Sequence, residues 1–345
     1  MPKNYNVLVP RIDYSGPVRL AIDLAQSASE SGYIVNIYYL NGKYSQQDLE
    51  FEANVKKLTI RDFFAINENL HSHCMRPDII NGILCMFRKN FISLTTIPSH
   101  VYDDIKFDYP EWKVNIFYFF WKLAISNLTH RVVITETMLN YYLKELPKLK
   151  FKLIFHSRRM NKKSLQDKKI TWKIQQLRKK YANLICFIGG ITDRKNILAL
   201  ANSLENNEKT CLIIFGDGPN RDLILDIEKR SNNIAYFGYS SSPSTYLAEV
   251  DHLILPSLAE GLPTVILEAK EMGKLTLMSD IEPHRELEKL KFGLTFDHVN
   301  FYNLEEKINQ LKELGLDVNY IEESKKIYQA NFNPKINFRN YEKLF

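Results

Sequence analysis

A chain of 345 residues, 45% hydrophobic and 25% charged, is too long for a single small binding module and too apolar for a disordered or fibrous polymer; it fits two domains, each with its own core. The formal charge of +6 is uneven, because ten Lys and Arg against one Asp crowd into "RRMNKKSLQDKKITWKIQQLRKK" (158–180). Such a segment serves as a solvated interdomain connector or as a contact for anionic lipid or nucleic acid, and no nucleic-acid motif accompanies it.

In chain order, "YNVLV" (5–9), "GPVRLAIDLAQSASESG" (16–32) and "YIVNIYYL" (33–40) read as strand, helix and strand. Further β-rich runs follow at 91–97, 131–135 and 151–155, spaced for crossover helices, so a parallel sheet is expected. The apolar stretch "VNIFYFFWKLAISNL" (114–128) is interrupted by Asn115, Lys122 and Asn127 and is too short to span a bilayer. It reads either as a buried crossover helix or, within "YPEWKVNIFYFFWKLAISNLTHR" (109–131), as a segment lying on a membrane with aromatic anchors.

After the basic segment the pattern restarts with strands at 183–190, 210–216, 233–238, 251–257 and 274–279, each ending near Gly or Ser and alternating with helical segments. From about Leu304 onward only helices are expected. The resulting fold class is α/β, with two Rossmann-like doubly wound domains facing one another across a cleft and helices at the C-terminus. The expected domains are 1–160 joined by a terminal helix at 330–345, a basic linker at 161–182, and 183–329. Four cysteines without a CxxC pair, three of them in apolar runs, read as reduced buried thiols, and "MPKNYNVLVPRIDYSG" lacks a signal-peptide core, so a cytoplasmic protein is expected.

The stretch "EGLPTVILE" (260–268) carries chemistry. Pro263 suits a first helical turn and Gly273 a helix end, which places Val265, Ile266, Ala269 and Met272 on a buried stripe. Thr264 and Glu268 then share a polar face, with Glu268 directed along the helix surface, not into the core. Backbone N–H groups of Gly261, Leu262 and Thr264 at a helix N-terminus favour an anion such as phosphate. Glu268, roughly 7 Å along the axis from Pro263 at ~1.5 Å per residue, matches the reach from a diphosphate to ribose hydroxyls. The plainer alternative is that Glu260 and Glu268 only favour the helix N-terminus or solvate its face.

Five ordered motifs, "IGGITDRKN" (188–196), "IIFGDGP" (213–219), "AYFGYS" (235–240), "ILPSLAEGLPTVILEAKEMG" (254–273) and "LMSDIEPHRE" (277–286), resemble the retaining GT-B glycosyltransferases called glycosyl transferases group 1, or family 4. The first half resembles them more loosely, through 8–40 and 70–80. The resemblance implies transfer of a sugar from a nucleoside diphosphate sugar to a hydroxyl of a glycan or lipid-linked acceptor, with retained anomeric configuration. It implies that Glu260 binds donor-sugar hydroxyls, that Gly261, Leu262, Pro263 and Thr264 offer main-chain contacts, and that Glu268 holds the ribose. Lys195 matches the diphosphate-binding lysine, with Asn196 beside it among the donor-binding residues.

Two positions depart from the pattern. Gly190 stands where an arginine is common, leaving Arg194 as the candidate second cation, and Pro98 replaces a histidine, leaving His100 two residues on as the candidate that reaches the site. Gly16 is the glycine-loop residue of the first domain. Leaving-group charge would be met by Lys195, Arg194 and the helix N-terminus, so neither metal nor other cofactor is expected; His71, His73 and Cys74 read as strand-end residues and not as ligands. The family also implies bacterial surface-polysaccharide assembly at the inner face of the cell membrane, with peripheral contact to anionic lipid and no nucleic-acid partner. A nucleotide-sugar epimerase of the same fold and a non-catalytic nucleotide-sugar-binding protein are the alternative readings.

Overall fold

The structure is a computed structural model that describes residues 3–13, 15–42, 44, 49, 51–88, 90–106, 109–159 and 166–345. The chain divides into two compact units, Met1–Arg158 with Ala330–Phe345, and Arg159–Gln329.

Among the described residues the first unit holds a seven-stranded sheet in the order β3-β2-β1-β4-β5-β6-β7, with every pairing parallel. Its strands are β1 (Asn4–Val9), β2 (Ile34–Tyr39), β3 (Asn54–Lys57), β4 (Asn69–His73), β5 (Ile92–Ile97), β6 (His130–Val133) and β7 (Lys152–Leu153). The central strands β1, β4 and β5 are almost wholly buried; the apolar and β-branched runs of β1 and β5 suit strands covered on both faces, whereas β4, "NLHSH", buries polar side chains. The crossovers include α1 (Gly16–Glu30), α2 (Ile60–Ala65), α3 (Met75–Met86), α4 (Val101–Lys106), α5 (Glu111–Ser126) and α6 (Glu136–Glu145). One core joins Tyr5, Val7, Val9, Ala21, Ala25, Val35 and Ile37 to Phe338 from the far end of the chain.

The second unit opens with α7 (Lys168–Lys180), so much of the segment expected as a linker is helix; its residues 161–165 lie outside those described. The helix forms because Asp167 caps it by accepting from the Lys169 N–H at 2.7 Å, and because Arg178, Lys179 and Lys180 fall in its last turn, where positive charge is favourable. Its parallel sheet runs β10-β9-β8-β11-β12-β13, with β8 (Asn183–Ile188), β9 (Thr210–Phe215), β10 (Ile234–Gly238), β11 (His252–Leu255), β12 (Thr276–Ser279) and β13 (Gly293–Phe296). Helices α8 (Ile197–Leu204), α9 (Arg221–Arg230), α10 (Thr264–Glu271) and α11 (Glu282–Lys289) alternate with the strands, and "PSTYLAE" forms a 3-10 helix, Pro243–Glu249. α12 (Leu304–Leu316) and α13 (Val318–Asn331) follow, and α14 (Pro334–Glu342) returns to pack on α1 of the first unit.

Candidate active site

Parallel sheets offer ligands the region beyond the carboxyl ends of their strands, near the point where strand order reverses. In the second unit that point lies between β8 and β11, which are neighbours in the sheet. After β8 the chain turns through Gly189 and Gly190 into a short 3-10 helix, Asp193–Lys195, and Asn196 then adopts a left-handed conformation (φ 53°) before α8. After β11 it turns through 256–263 into α10. The Leu258 N–H donates to the Arg194 carbonyl at 2.9 Å, binding the two turns together.

That coupling assembles the charged centre. Lys195 Nζ donates to Glu260 Oε1, while Arg194 Nη1 donates to the Ala259 carbonyl at 2.9 Å and lies 3.4 Å from Glu260 Oε2. Burial alone would push the Glu260 carboxyl up, but the Lys195 ammonium and the Arg194 guanidinium outweigh it and hold the carboxyl at about 2. Glu260 is therefore an anion throughout the physiological range. It accepts hydrogen bonds and is not a proton donor.

The glycines around this centre divide into two kinds. A Cβ on Gly216, at the end of β9, would lie 1.8 Å from the Gly189 carbonyl oxygen, so this turn admits no side chain. A Cβ on Gly190 would meet nothing nearer than Thr192 Cγ2 at 3.8 Å, so the glycine found where relatives commonly carry arginine is not a steric necessity.

α10 differs from the sequence expectation in two respects. Gly261, Leu262 and Pro263 are buried, Pro263 is the residue that caps the helix, and Gly273 closes it with φ 72° as expected. Val265 through Lys270 are all buried, however, and Glu268 is only 3% exposed. The helix has no solvated polar face there, because the residues between its apolar positions are covered as well, and Glu268 lies inside the unit instead of along its surface. Met272, expected on the buried stripe, is half-buried.

Asn196 Nδ2 donates to the His298 carbonyl at 3.2 Å. Gly16 opens α1 in the first unit, and a Cβ there would meet nothing within 4 Å. His100, beyond β5, stacks on Tyr141 at 4.3 Å and lies 3.7 Å from Asp103. His71 bonds Tyr5 OH through Nδ1 at 2.7 Å and Thr96 Oγ1 through Nε2 at 2.8 Å, which uses both ring nitrogens in the core; His73 stacks beside it. Among the described residues no group of three or more His, Cys, Asp or Glu is arranged to hold a metal ion.

One buried residue near the centre was not singled out in the sequence. His284, in the first turn of α11, directs Nδ1 at the Ser279 carbonyl (3.0 Å) and is lowered to about 4, first by burial, although the nearby Glu260 charge acts in the opposite sense. A carbonyl oxygen only accepts, so Nδ1 carries a hydrogen, and the lowered pKa keeps the ring neutral near pH 7. The signal was present in "PHRE", within a quoted motif, but nothing in the spacing tied that histidine to Glu260.

Comparison with known proteins gives this geometry a context. Residues 168–330 match the family model described as glycosyl transferases group 1. The O-antigen biosynthesis glycosyltransferase WclY of Escherichia coli is 24% identical over 322 residues, covering 90% of this chain and 89% of its own. Among solved structures, Anabaena HepE in complex with UDP-glucose is similar with a TM-score of 0.74 at 15% identity, over 98% of this chain and 99% of the other. Sucrose-phosphate synthase from Thermosynechococcus elongatus reaches a TM-score of 0.77 at 14% identity, over 99% and 98%. Fold and sequence agree: the chain is a glycosyltransferase of the GT-B type, and its segment 168–330 matches the model of the glycosyl transferases group 1 family.

Proposed function

We propose that the protein transfers a sugar from a nucleoside diphosphate sugar to a hydroxyl of a glycan or lipid-linked acceptor, with retention of configuration, in assembly of a bacterial surface polysaccharide such as O-antigen. The observation that carries the reading is the partly buried Arg194–Lys195–Glu260 centre at the carboxyl ends of β8 and β11. An ionised carboxylate there accepts hydrogen bonds from sugar hydroxyls. The Lys195 ammonium has three N–H donors, so while one holds Glu260 the others remain available to diphosphate oxygens, with Arg194 beside it. The backbone N–H groups at the start of α10 add partial positive charge on the same side of the turn. Glu268 is assigned to the ribose, and the first unit to the acceptor. The part of WclY in O-antigen biosynthesis and the complex of HepE with UDP-glucose support the pathway and the donor class.

The test is a melting-temperature screen with UDP-, GDP- and ADP-sugars, in which a donor at 100 times its dissociation constant adds ~2.7 kcal/mol of stability. A hit is followed by turnover measurements, where Lys195→Ala is expected to lower the rate by at least ~100-fold, as for other preorganised charge donors. No shift with any nucleotide sugar would overturn the proposal.

A further inference from the structure

The strand ladders of the second unit stop short of the turn that carries Glu260, and side chains take over from them. β11 and β12 pair as far as Leu255 and Met278. One residue beyond Met278, Ser279 Oγ donates to the Ser257 carbonyl at 2.6 Å, which carries the bonding past the strand ends to a point three residues before Glu260. On the opposite side the turn after β8 holds the same segment, where the Arg194 carbonyl accepts from the Leu258 N–H and Arg194 Nη1 donates to the Ala259 carbonyl. The approach to Glu260 is thus clamped from two directions, by Arg194 and by Ser279.

His284 seats Ser279. Its Nδ1 lies 3.0 Å from the Ser279 carbonyl oxygen and 3.0 Å from Ser279 Oγ. The single hydroxyl hydrogen of Ser279 is committed to the Ser257 carbonyl, so the hydrogen between Oγ and the ring belongs to Nδ1. One imidazole N–H therefore grips both oxygens of the serine, and the serine's own hydrogen is aimed at the turn. The Ser279 carbonyl also accepts from the Ile281 N–H at 2.8 Å, so the entry into α11 fixes it from a second direction. His284 is fully buried, and its Nε2 has no partner among the described residues. A leucine there would leave no buried nitrogen unpaired; what the imidazole supplies is the Nδ1 bond.

The ring also lies within electrostatic reach of the charged centre. Burial is the first cause of its neutrality, with Lys195 and His298 acting in the same sense and Glu260 against them. Against the rise that burial imposes on the Glu260 carboxyl, the Ser257 hydroxyl joins Lys195 and Arg194 in lowering it. Groups from the ends of β11 and β12 and from the first turn of α11 thus act on one carboxylate.

We propose that His284 is a positioning residue for Glu260: seated on Ser279, it fixes the turn that carries the carboxylate, and so governs how tightly the site holds the sugar of its donor but not how tightly it holds the nucleoside diphosphate. The inference rests on the proposed function in taking Glu260 as the group that meets the donor sugar. The cations assigned to the diphosphate stand on the turn after β8, to which His284 makes no hydrogen bond.

The test uses His284→Leu, which removes the ring nitrogens, His284→Asn, which returns an N–H close to the place of Nδ1, and Ser279→Ala, which keeps the carbonyl and loses the bond to Ser257. Amide hydrogen exchange is measured without ligand, and calorimetry is run with UDP-glucose, GDP-mannose and ADP-glucose and with the diphosphate of each, read on the pair that wild type binds. His284→Leu and Ser279→Ala are expected to speed exchange over 257–262 at least ~10-fold while leaving α7 unchanged, since a local opening is what the clamp prevents. They should weaken the nucleotide sugar at least ~10-fold and the diphosphate less than ~3-fold, because a small misplacement of a contact group costs that much or more. His284→Asn should stay within ~3-fold of wild type in both measurements, the N–H being restored. Unaltered exchange over 257–262, an Asn variant as impaired as the Leu variant, or equal weakening of nucleotide sugar and diphosphate overturns the proposal. Should His284→Leu not fold, Ser279→Ala is judged by the same criteria. Wild type that binds none of the nucleotide sugars sinks the proposed function, and the exchange measurement then decides the place of His284 by itself; wild type that binds, with variants that bind equally well, sinks this inference alone.

Discussion

Removing the Lys195 ammonium tests the account of the charged centre without reference to catalysis. The Glu260 carboxyl is held at about 2, against an ordinary 4.5, with burial working in the other direction. At ~1.36 kcal/mol for each tenfold change in ionisation, the difference of 2.5 corresponds to about 3 kcal/mol of net stabilisation at neutral pH. The folded value is depressed, so this stability is complete above pH 4.5 and is lost as pH falls from there towards 2. Lys195→Met leaves the carboxylate buried with Arg194 at 3.4 Å as its remaining cation, and removing one partner of a buried pair typically costs ~3–5 kcal/mol. We expect urea unfolding at pH 7 to show a loss of about 3 kcal/mol for Lys195→Met. Adding Glu260→Gln should then recover about 2 kcal/mol of it, because no buried charge is left unpaired. If the double variant's loss equals the sum of the single losses within ~0.5 kcal/mol, the two groups are not coupled and the reasoning fails.

Three other outcomes follow from the same structure. Glu268→Ala should weaken donor binding by roughly 1.5–3 kcal/mol in calorimetry, the range for hydrogen bonds to a charged group, and unchanged affinity would remove Glu268 from the ribose role. Gly216→Ala should fail to fold or lose several kcal/mol, since its methyl would strike the Gly189 carbonyl, whereas Gly190→Ala should melt within a few degrees of wild type; equal effects would contradict the turn geometry. Burial lowers His73 to about 3 and His252 and His284 to about 4, so the unfolded chain takes up more protons than the folded one as pH falls from 6.5 towards 4. Each should then cost up to ~1.36 kcal/mol per pH unit, opposed in part by Asp78, which burial raises to about 6. A melting temperature that is flat between pH 7 and pH 5 would refute the balance.

The parallel α/β architecture was legible because central strands buried on both faces read as unbroken apolar runs: "NLICFI" and "TCLIIF" correspond to β8 and β9 almost residue for residue. The edges were not. β3, "NVKK", is largely exposed and polar, so it carries no hydrophobic signal, and β13, "GLTF", is four residues opening on Gly293, whose φ of 154° reads in sequence as a turn. β4 was legible only as a strand end at His71 and His73, because "NLHSH" buries polar side chains that bond their neighbours, as His71 does with Tyr5 and Thr96. In the candidate site, the turn carrying Glu260 and the loop carrying Lys195 were each visible, but the contact between them is long-range and had to come from the fold. The burial of Glu268 was misread because helical periodicity describes one covered face, and α10 is covered over 265–270 without a break.

The return of α14 to the first unit bears on how the chain is made. Phe338 and Tyr341 are almost fully buried, Phe338 in one core with Tyr5 and Val7, and Tyr33 OH donates to Glu342 at 3.0 Å. On a ribosome, which delivers residues from the N-terminus, the second unit is complete before the first has received its closing helix. The earliest-synthesised strands therefore wait for the last residues with part of their apolar surface uncovered. A stop codon at residue 330 would spare the second unit and strike the first, at the far end of the sequence from the lesion.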